Sequence, residues 1–343
     1  MKIIRVGVDL AKSVFQVHGV DRCEKVVWRK KLGRAEWLAA LLEKIEPGCE
    51  IGMEACGGAH HWARQLQKRG FTVKLIAPQF VKPYMKSNKN DANDAEAICE
   101  AMSRPSMRFV AVKSVEQQDL QAIHRIRAEL VSQRSAKGNQ IRGLCSEYGL
   151  VAPREMIQLR AAIPLWLEDL ENGLTQRFRR MLRGLWLDLL NLELRVKELD
   201  QEIEIAASTD PVATRLQQLR GVGPIIATAI VANVGDAKQF SSGRQMAASL
   251  GLTPRQNSSG GKERLLGITK RGDAQLRTLL IHGARSVLRT AASKNDRMSR
   301  WVTHIAQTRH HNIAAVALAN KTARIAWAMM TKGTDYQPGL VAV

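Results

Sequence analysis

Eight apolar residues, Phe178, Leu182, Leu185, Leu189, Leu192, Val196, Leu199 and Ile203, recur at spacings of 4, 3, 4, 3, 4, 3 and 4. No other feature of the chain restricts its fold so tightly. Alternating steps of three and four keep one face of an α-helix apolar along its whole length, whereas a strand would scatter the same residues over both of its faces. The stretch is therefore expected as one helix of coiled-coil type, with a seam about 38 Å long at 1.5 Å per residue. Two partners fit such a seam. One is an antiparallel helix from residues 115–150 of the same chain. The other is the same segment of a second subunit, which so regular a pattern favours.

The flanks read differently. Residues 2–32 hold three strand-like runs, "IIRVGVDL", "SVFQVHGV" and "KVVWRKKL", separated by short turns and so expected as an antiparallel meander. A helix follows from about Ala35 to Ile45, then a short strand in "EIGMEAC". "AHHWARQLQKRG" reads as a helix closed by Gly70, "TVKLIAP" as another strand, and Asp91 opens another helix. Three meander strands followed by alternating helix and strand is the order of an α/β ribonuclease-H-like fold. The expected domains are residues 1–114, a helical coiled-coil middle over 115–207, and a mainly α C-terminal domain over 208–343, beyond a break at "STDPVATR".

With 52 Lys and Arg against 32 Asp and Glu, the chain carries a formal charge of +20. Such an excess points to a polyanion, because each phosphate neutralised by a cation releases condensed counterions. The sequence has no apolar run of about 18 residues, so no spanning helix is expected. The N-terminus lacks the pattern of a signal peptide, and five scattered cysteines without a CxxC pair argue against disulfides or structural zinc. A cytoplasmic protein acting on nucleic acid is the expectation. From Ser241 to Arg300, nine Arg and three Lys face one Glu and two Asp. These cations surround the polar, glycine-rich stretch "TPRQNSSGGKERLLGITKRGDAQLRTLL", whose helix is expected only near Asp273. Upstream, "LQQLRGVGPIIATAIVANVG" has the form of a helix-hairpin-helix, in which Gly221 and Gly223 allow a tight turn with N–H groups facing a phosphate.

Acids are scarce, so their placement is informative. Asp9 falls at the end of the first strand and Glu54 at the end of the fourth, which are neighbours in a ribonuclease-H-like sheet. Asp91 and Asp94, behind Lys86 and Lys89, share one face of the next helix. Four carboxylates brought together need a hard cation between them, and oxygen ligands of this kind suit Mg²⁺, which completes its shell with water and substrate phosphate. Taken singly, Asp9 also fits a turn and Asp91 a helix cap in competition with Asn90. Glu96 and Glu100 read as surface residues.

"GVDLAKSVFQVHG", "GMEACGGAHHWARQL", "KNDANDAEAICEA", "LRGVGP" and "GLTPRQNSSGGKERLLGITKRGDAQLRTLL" together, in this order, resemble the DEDD transposases of insertion sequences. The resemblance covers nearly the whole chain. It implies a RuvC-like N-terminal domain and a C-terminal transposase domain, with Asp9, Glu54, Asp91 and Asp94 as the four acids. It also implies a serine nucleophile that joins covalently to DNA, a noncoding guide RNA pairing with donor and target DNA, and dimers that assemble into a tetramer. The family places its serine directly before a glycine. Ser259 fits that register and Ser258 is the alternative, while Arg255, Lys262, Arg264, Lys270 and Arg271 are candidates for holding phosphate. The nearest histidine in sequence, His282, lies more than 20 residues on, so activation of the serine is expected from the acids and their metal. Two other functions fit the same residues: a Holliday-junction-type nuclease that uses water and needs no serine, and a non-catalytic nucleic-acid-binding protein indifferent to Mg²⁺.

Overall fold

The computed structural model describes residues 2–85 and 91–338; Lys86 and Lys89 lie outside them. Two compact units form, one from residues 1–115 with 234–241, the other from residues 116–233 with 242–343.

The first unit is a mixed sheet covered by helices. Strands β1 (Arg5–Leu10), β2 (Val14–Val20) and β3 (Val26–Gly33) make the expected meander. Then come α1 (Trp37–Lys44), β4 (Glu50–Glu54), α2 (Ala59–Gln67), β5 (Thr72–Ile76), the single turn α3 (Pro78–Val81), α4 (Asp91–Met102) and a two-residue strand β6 (Phe109–Val110). The sheet order is β3-β2-β1-β4-β5-β6, with β1, β4 and β5 parallel and β6 antiparallel to β5. Alternation along the strands sends Val6, Val8, Ile51 and Met53 into a core with Trp37, Leu41 and Leu66 of α1 and α2. Phe15, Trp37 and Trp62 meet edge to face there, with centroids 4.9–5.6 Å apart. This architecture is consistent with a DEDD nuclease-like fold.

The second unit is mainly helical: α5 (Val115–Ser146), α6 (Met156–Glu168), α7 (Gln176–Thr209), α8 (Pro211–Leu216), α9 (Pro224–Val234) and α10 (Gly243–Ser249). Next come the hairpin strands β7 (Pro254–Gln256) and β8 (Leu265–Ile268), then α11 (Ala274–Ala291), α12 (Arg297–Thr308) and α13 (His311–Lys332). Helix α7 contains the whole heptad seam. Thr175 caps it, accepting from Phe178 N at 3.2 Å. Asp210 restarts the chain at α8 by accepting from Val212 N and Ala213 N, with Pro211 at the first helical position.

The first half of the seam is covered within the chain. Phe178, Leu182 and Leu189 pack with Ile141 and Cys145 of α5 and with Leu159 and Ile163 of α6. Ion pairs Lys137–Asp188 (3.0 Å) and Arg127–Asp200 (2.5 Å) run α5 and α7 antiparallel. Periodicity specifies an apolar face, and α5 and α6 bury its first half, through Phe178, Leu182, Leu185 and Leu189. No helix among the described residues is long and apolar enough to cross a membrane.

Candidate functional site

Two glycines decide where α4 lies. Gly7 and Gly52 are direct partners on the parallel strands β1 and β4. A Cβ on Gly7 would stand 2.6 Å from Cys99 N and closer still to the Ala95 carbonyl; one on Gly52 would stand 2.6 Å from Met102 Cγ. Helix α4 therefore rests directly on the seam between the two strands. Side chains alternate along a strand, so Asp9 and Glu54, two residues beyond each glycine, project on this same face. The register runs through Val8 and Met53, which sets Asp9 beside Glu54 at the carboxyl ends of their strands. Both acids act on one thiol: burial, then Glu54, then Asp9 push the Cys56 pKa up.

Asp94 sits on α4, and its Oδ1 is buried with no hydrogen-bond partner among the described residues. An unpaired buried carboxylate oxygen is costly and calls for a cation or a proton. Asp91 opens α4; its side chain lies outside the described residues. Among the described residues no three His, Cys, Asp or Glu side chains are grouped so as to hold a metal. The fold aligns Asp9 with Glu54 and puts the orphaned Asp94 oxygen on the helix packed against their strands, and all three are hard oxygens of the kind that suit a divalent cation.

The sheet edge also carries features that the acids alone did not suggest. A cleft of about 570 Å³ opens beside them, lined by Leu10, Ala11, Lys12, Arg34, Cys56 and the Gly57–Gly58 pair. Its signals in the sequence are the "LAKS" after Asp9 and the "ACGG" after Glu54. Behind it, His60 accepts from Lys113 N at 3.2 Å through Nδ1; burial, with Lys113 and Arg64 nearby, pushes its pKa down to about 4.

In the second unit the expected glycine-rich loop is a β-hairpin. Lys262 N donates to Ser259 O at 3.1 Å, and Asn257 N donates to Arg264 O at 2.9 Å. Gly260 and Gly261, at φ 55° and 76°, form the two-residue turn. Both central residues are left-handed, as a type I′ turn requires, and a Cβ at either would meet nothing within 4 Å. These glycines are thus demanded by backbone conformation. Ser258 Oγ accepts from Arg264 N at 3.2 Å, whereas the Ser259 hydroxyl has no hydrogen-bond partner among the described residues. Arg255, Lys262, Arg264, Lys270 and Arg271 are all exposed. The hairpin's base is firm. Lys270, at φ 56°, donates its N–H to Gly251 O, and a Cβ on Gly251 would meet Arg271 N at 2.5 Å. Gly221 turns at φ 81° against α11, where a Cβ would lie 2.6 Å from Gly283 O, so packing requires a glycine there. Gly223 is exposed and its missing Cβ faces open space.

Comparison with known proteins agrees with this plan. A family model described as "Transposase" of the DEDD IS110 type matches residues 6–149, and one described as "Transposase IS116/IS110/IS902 family" matches residues 213–299. The chain is 52% identical over 343 residues to a probable family 20 transposase of Pseudomonas aeruginosa, covering 99% of this chain and 100% of the relative. It is 47% identical to the transposase for insertion sequence element IS1111A of Coxiella burnetii, over 99% of this chain and 93% of the relative. The transposase for IS1328 of Yersinia enterocolitica is 40% identical over 96% and 98%. The class is that of enzymes that cut and rejoin DNA. The chain belongs to the IS110/IS116 family of insertion-sequence transposases.

Proposed function

We propose that the protein moves its insertion sequence by strand exchange, with Asp9, Glu54, Asp91 and Asp94 holding Mg²⁺ and Ser259 as nucleophile. The observation that supports the metal reading is the orphaned, buried Asp94 oxygen on the helix packed on Gly7 and Gly52, two residues before Asp9 and Glu54 on their strands. Bound Mg²⁺ would supply charge neutralisation at the phosphate under attack. Ser259 Oγ attacks phosphorus, its proton leaves to base, and the O3′ or O5′ of the cut strand departs. The resulting phosphoserine ester conserves the bond energy, so a second hydroxyl can displace the serine and rejoin DNA without a high-energy cofactor. Ser259 is favoured over Ser258 because its hydroxyl is not engaged within the hairpin.

Arg255, Lys262, Arg264, Lys270 and Arg271 hold the strand's phosphates, with Gly221 and Gly223 offering backbone N–H groups at the helix-hairpin-helix turn. A noncoding guide RNA selects donor and target DNA, in keeping with a charge of +20, and dimers assemble into a tetramer in the cytoplasm. The test is to trap denaturation-resistant protein–DNA adducts in Mg²⁺ with the guide RNA. Adducts in the wild type that vanish in Ser259→Ala support the reading. Loss in Ser258→Ala alone moves the nucleophile by one residue, and DNA cut without any adduct indicates a water-using nuclease.

A further inference from the structure

The cleft beside the acids has a composition that the metal site does not explain. Its two charged lining residues are Lys12 and Arg34. Arg34 is held in place without a carboxylate. Its Cζ lies 5.5 Å from the Trp62 ring centroid and 5.8 Å from that of Phe15, and its Nη1 donates to Lys12 O at 3.4 Å. Other cations of the same unit do pair with acids: Arg5 with Glu24, Lys74 with Glu50 and Arg104 with Glu100. Among the described residues neither Lys12 nor Arg34 has such a partner. A guanidinium fixed by aromatic faces, with its charge uncompensated, is prepared for an anion.

The opposite wall is backbone. Gly57 and Gly58 are exposed, and a Cβ on either would meet nothing within 4 Å. Gly58, at φ 87°, precedes α2, whose first turn has no side-chain cap. Bare backbone next to a fixed guanidinium lets a phosphodiester approach closely. Leu10 and Ala11 add an apolar lip suited to a deoxyribose, and the volume is that of a small-ligand cleft. Position supplies the rest. Leu10 follows Asp9 directly, and Cys56 follows Glu54 by two residues.

We infer that this cleft seats the DNA phosphate adjoining the one being cut, with Lys12 and Arg34 as its positioning residues. The inference rests on the acids being the cutting site, as proposed above. It explains how a strand is held in register there: the carboxylates repel DNA, and a neighbouring phosphate anchored by two cations offsets that repulsion. The occupant is DNA rather than guide RNA, because the cleft is lined by Leu10 and Cys56, which follow Asp9 and Glu54 directly or by two residues.

Binding and cutting test this separately. Full-length protein is titrated with one fluorescein-labelled single-stranded DNA oligonucleotide, and with RNA of the same sequence, over a salt series in Ca²⁺. Lys12→Ala and Arg34→Gln should each lower the salt slope of DNA binding by about 0.7. Gly57→Glu, which leaves the Arg34 seat intact, should weaken DNA binding while leaving the thermal melt unchanged. Wild-type slopes and affinities in all three variants overturn the inference, and so do losses confined to the RNA probe. In Mg²⁺, a neutral methylphosphonate at the linkage beside the cut should slow the wild type and add nothing in Arg34→Gln. Equal slowing of both places that phosphate elsewhere. Cutting that survives Asp9→Asn defeats the acid-site reading instead, and leaves the binding results to decide the cleft.

Discussion

Replacing Gly7 with alanine should separate α4 from the sheet. The new methyl would fall 2.6 Å from Cys99 N and closer to the Ala95 carbonyl, both backbone atoms of α4. Ordinary contact starts near 3.4 Å, so the helix must withdraw by about 0.8 Å or more. Backbone within a packed helix cannot swing aside as a side chain can, so the cost should reach the upper part of the overpacking range, about 3 kcal/mol. Gly52→Ala meets the Met102 side chain instead. A thioether has free rotamers, and about 1 kcal/mol is expected. The two variants thus differ by one methyl in adjacent strands and by about 2 kcal/mol in outcome. Urea unfolding should show a midpoint roughly 1–2 M lower for Gly7→Ala than for the wild type. A shift approaching 1 Å in Asp94 should also slow DNA cutting about a hundredfold. If Gly7→Ala unfolds and cuts like the wild type, α4 does not rest on β1 as described, and the proposed meeting of Asp94 with Asp9 and Glu54 fails with it.

In the heptad helix, Leu189→Ala should cost about 2–5 kcal/mol in thermal unfolding because Leu189 is fully buried, while Leu187→Ala, at 59% exposure, should stay within about 0.5 kcal/mol. Gly261→Val should lower adduct yield with little change in the global melt, since φ 76° suits no β-branched residue; Gly261→Asn should be milder, and equal yields from both would refute the conformational requirement. His124, buried and hydrogen-bonded to Thr228 Oγ1 at 2.9 Å, is pushed down to about 4 by burial and then by Arg127. Its folded pKa lies below its unfolded one, so the unfolded chain binds a proton first as acid is added. Stability from this group is complete above about pH 6.5 and falls by roughly 3 kcal/mol on the way to pH 4. Urea midpoints at pH 7.5 and 4.5 should therefore draw closer in His124→Gln, and an unchanged gap would refute the assignment.

The elements that face both solvent and core were legible in the residues. Alternation in "IIRVGVDL" located β1 and with it Asp9 at the strand end, and the 4-3 repeat located α7. What covers each face was not legible, because a pattern of apolar residues carries no address. Hence the repeat does not distinguish an internal partner from a second subunit, and it is the structure that seats its first half on α5 and α6. The hairpin of β7 and β8 reads as loop in the sequence for a different reason: its strands are short and mostly exposed, leaving no in-and-out alternation. Its signal was Gly260–Gly261, a turn pair more than a flexible spacer. The cleft has no signature in the sequence because its lining comes from three places in the chain, Lys12, Arg34 and Gly57, that only the sheet brings side by side.

The first unit is not a continuous stretch of chain. It is closed by residues 234–241, where Ala237 is buried and Gln239 Oε1 accepts from Ala111 N at 3.1 Å. Synthesis therefore delivers the last piece of this unit long after its sheet. From Glu116 through Ser241 there are 126 further residues, which at about 5–20 residues per second take the ribosome roughly 6–25 s to add. During that interval the nascent unit lacks both its closing segment and the partner of Ala111 N. A gene cut short anywhere before codon 241 would release this unit unfinished. Truncated copies of the element would accordingly yield a first unit that carries Asp9 and Glu54 but lacks the segment that closes it.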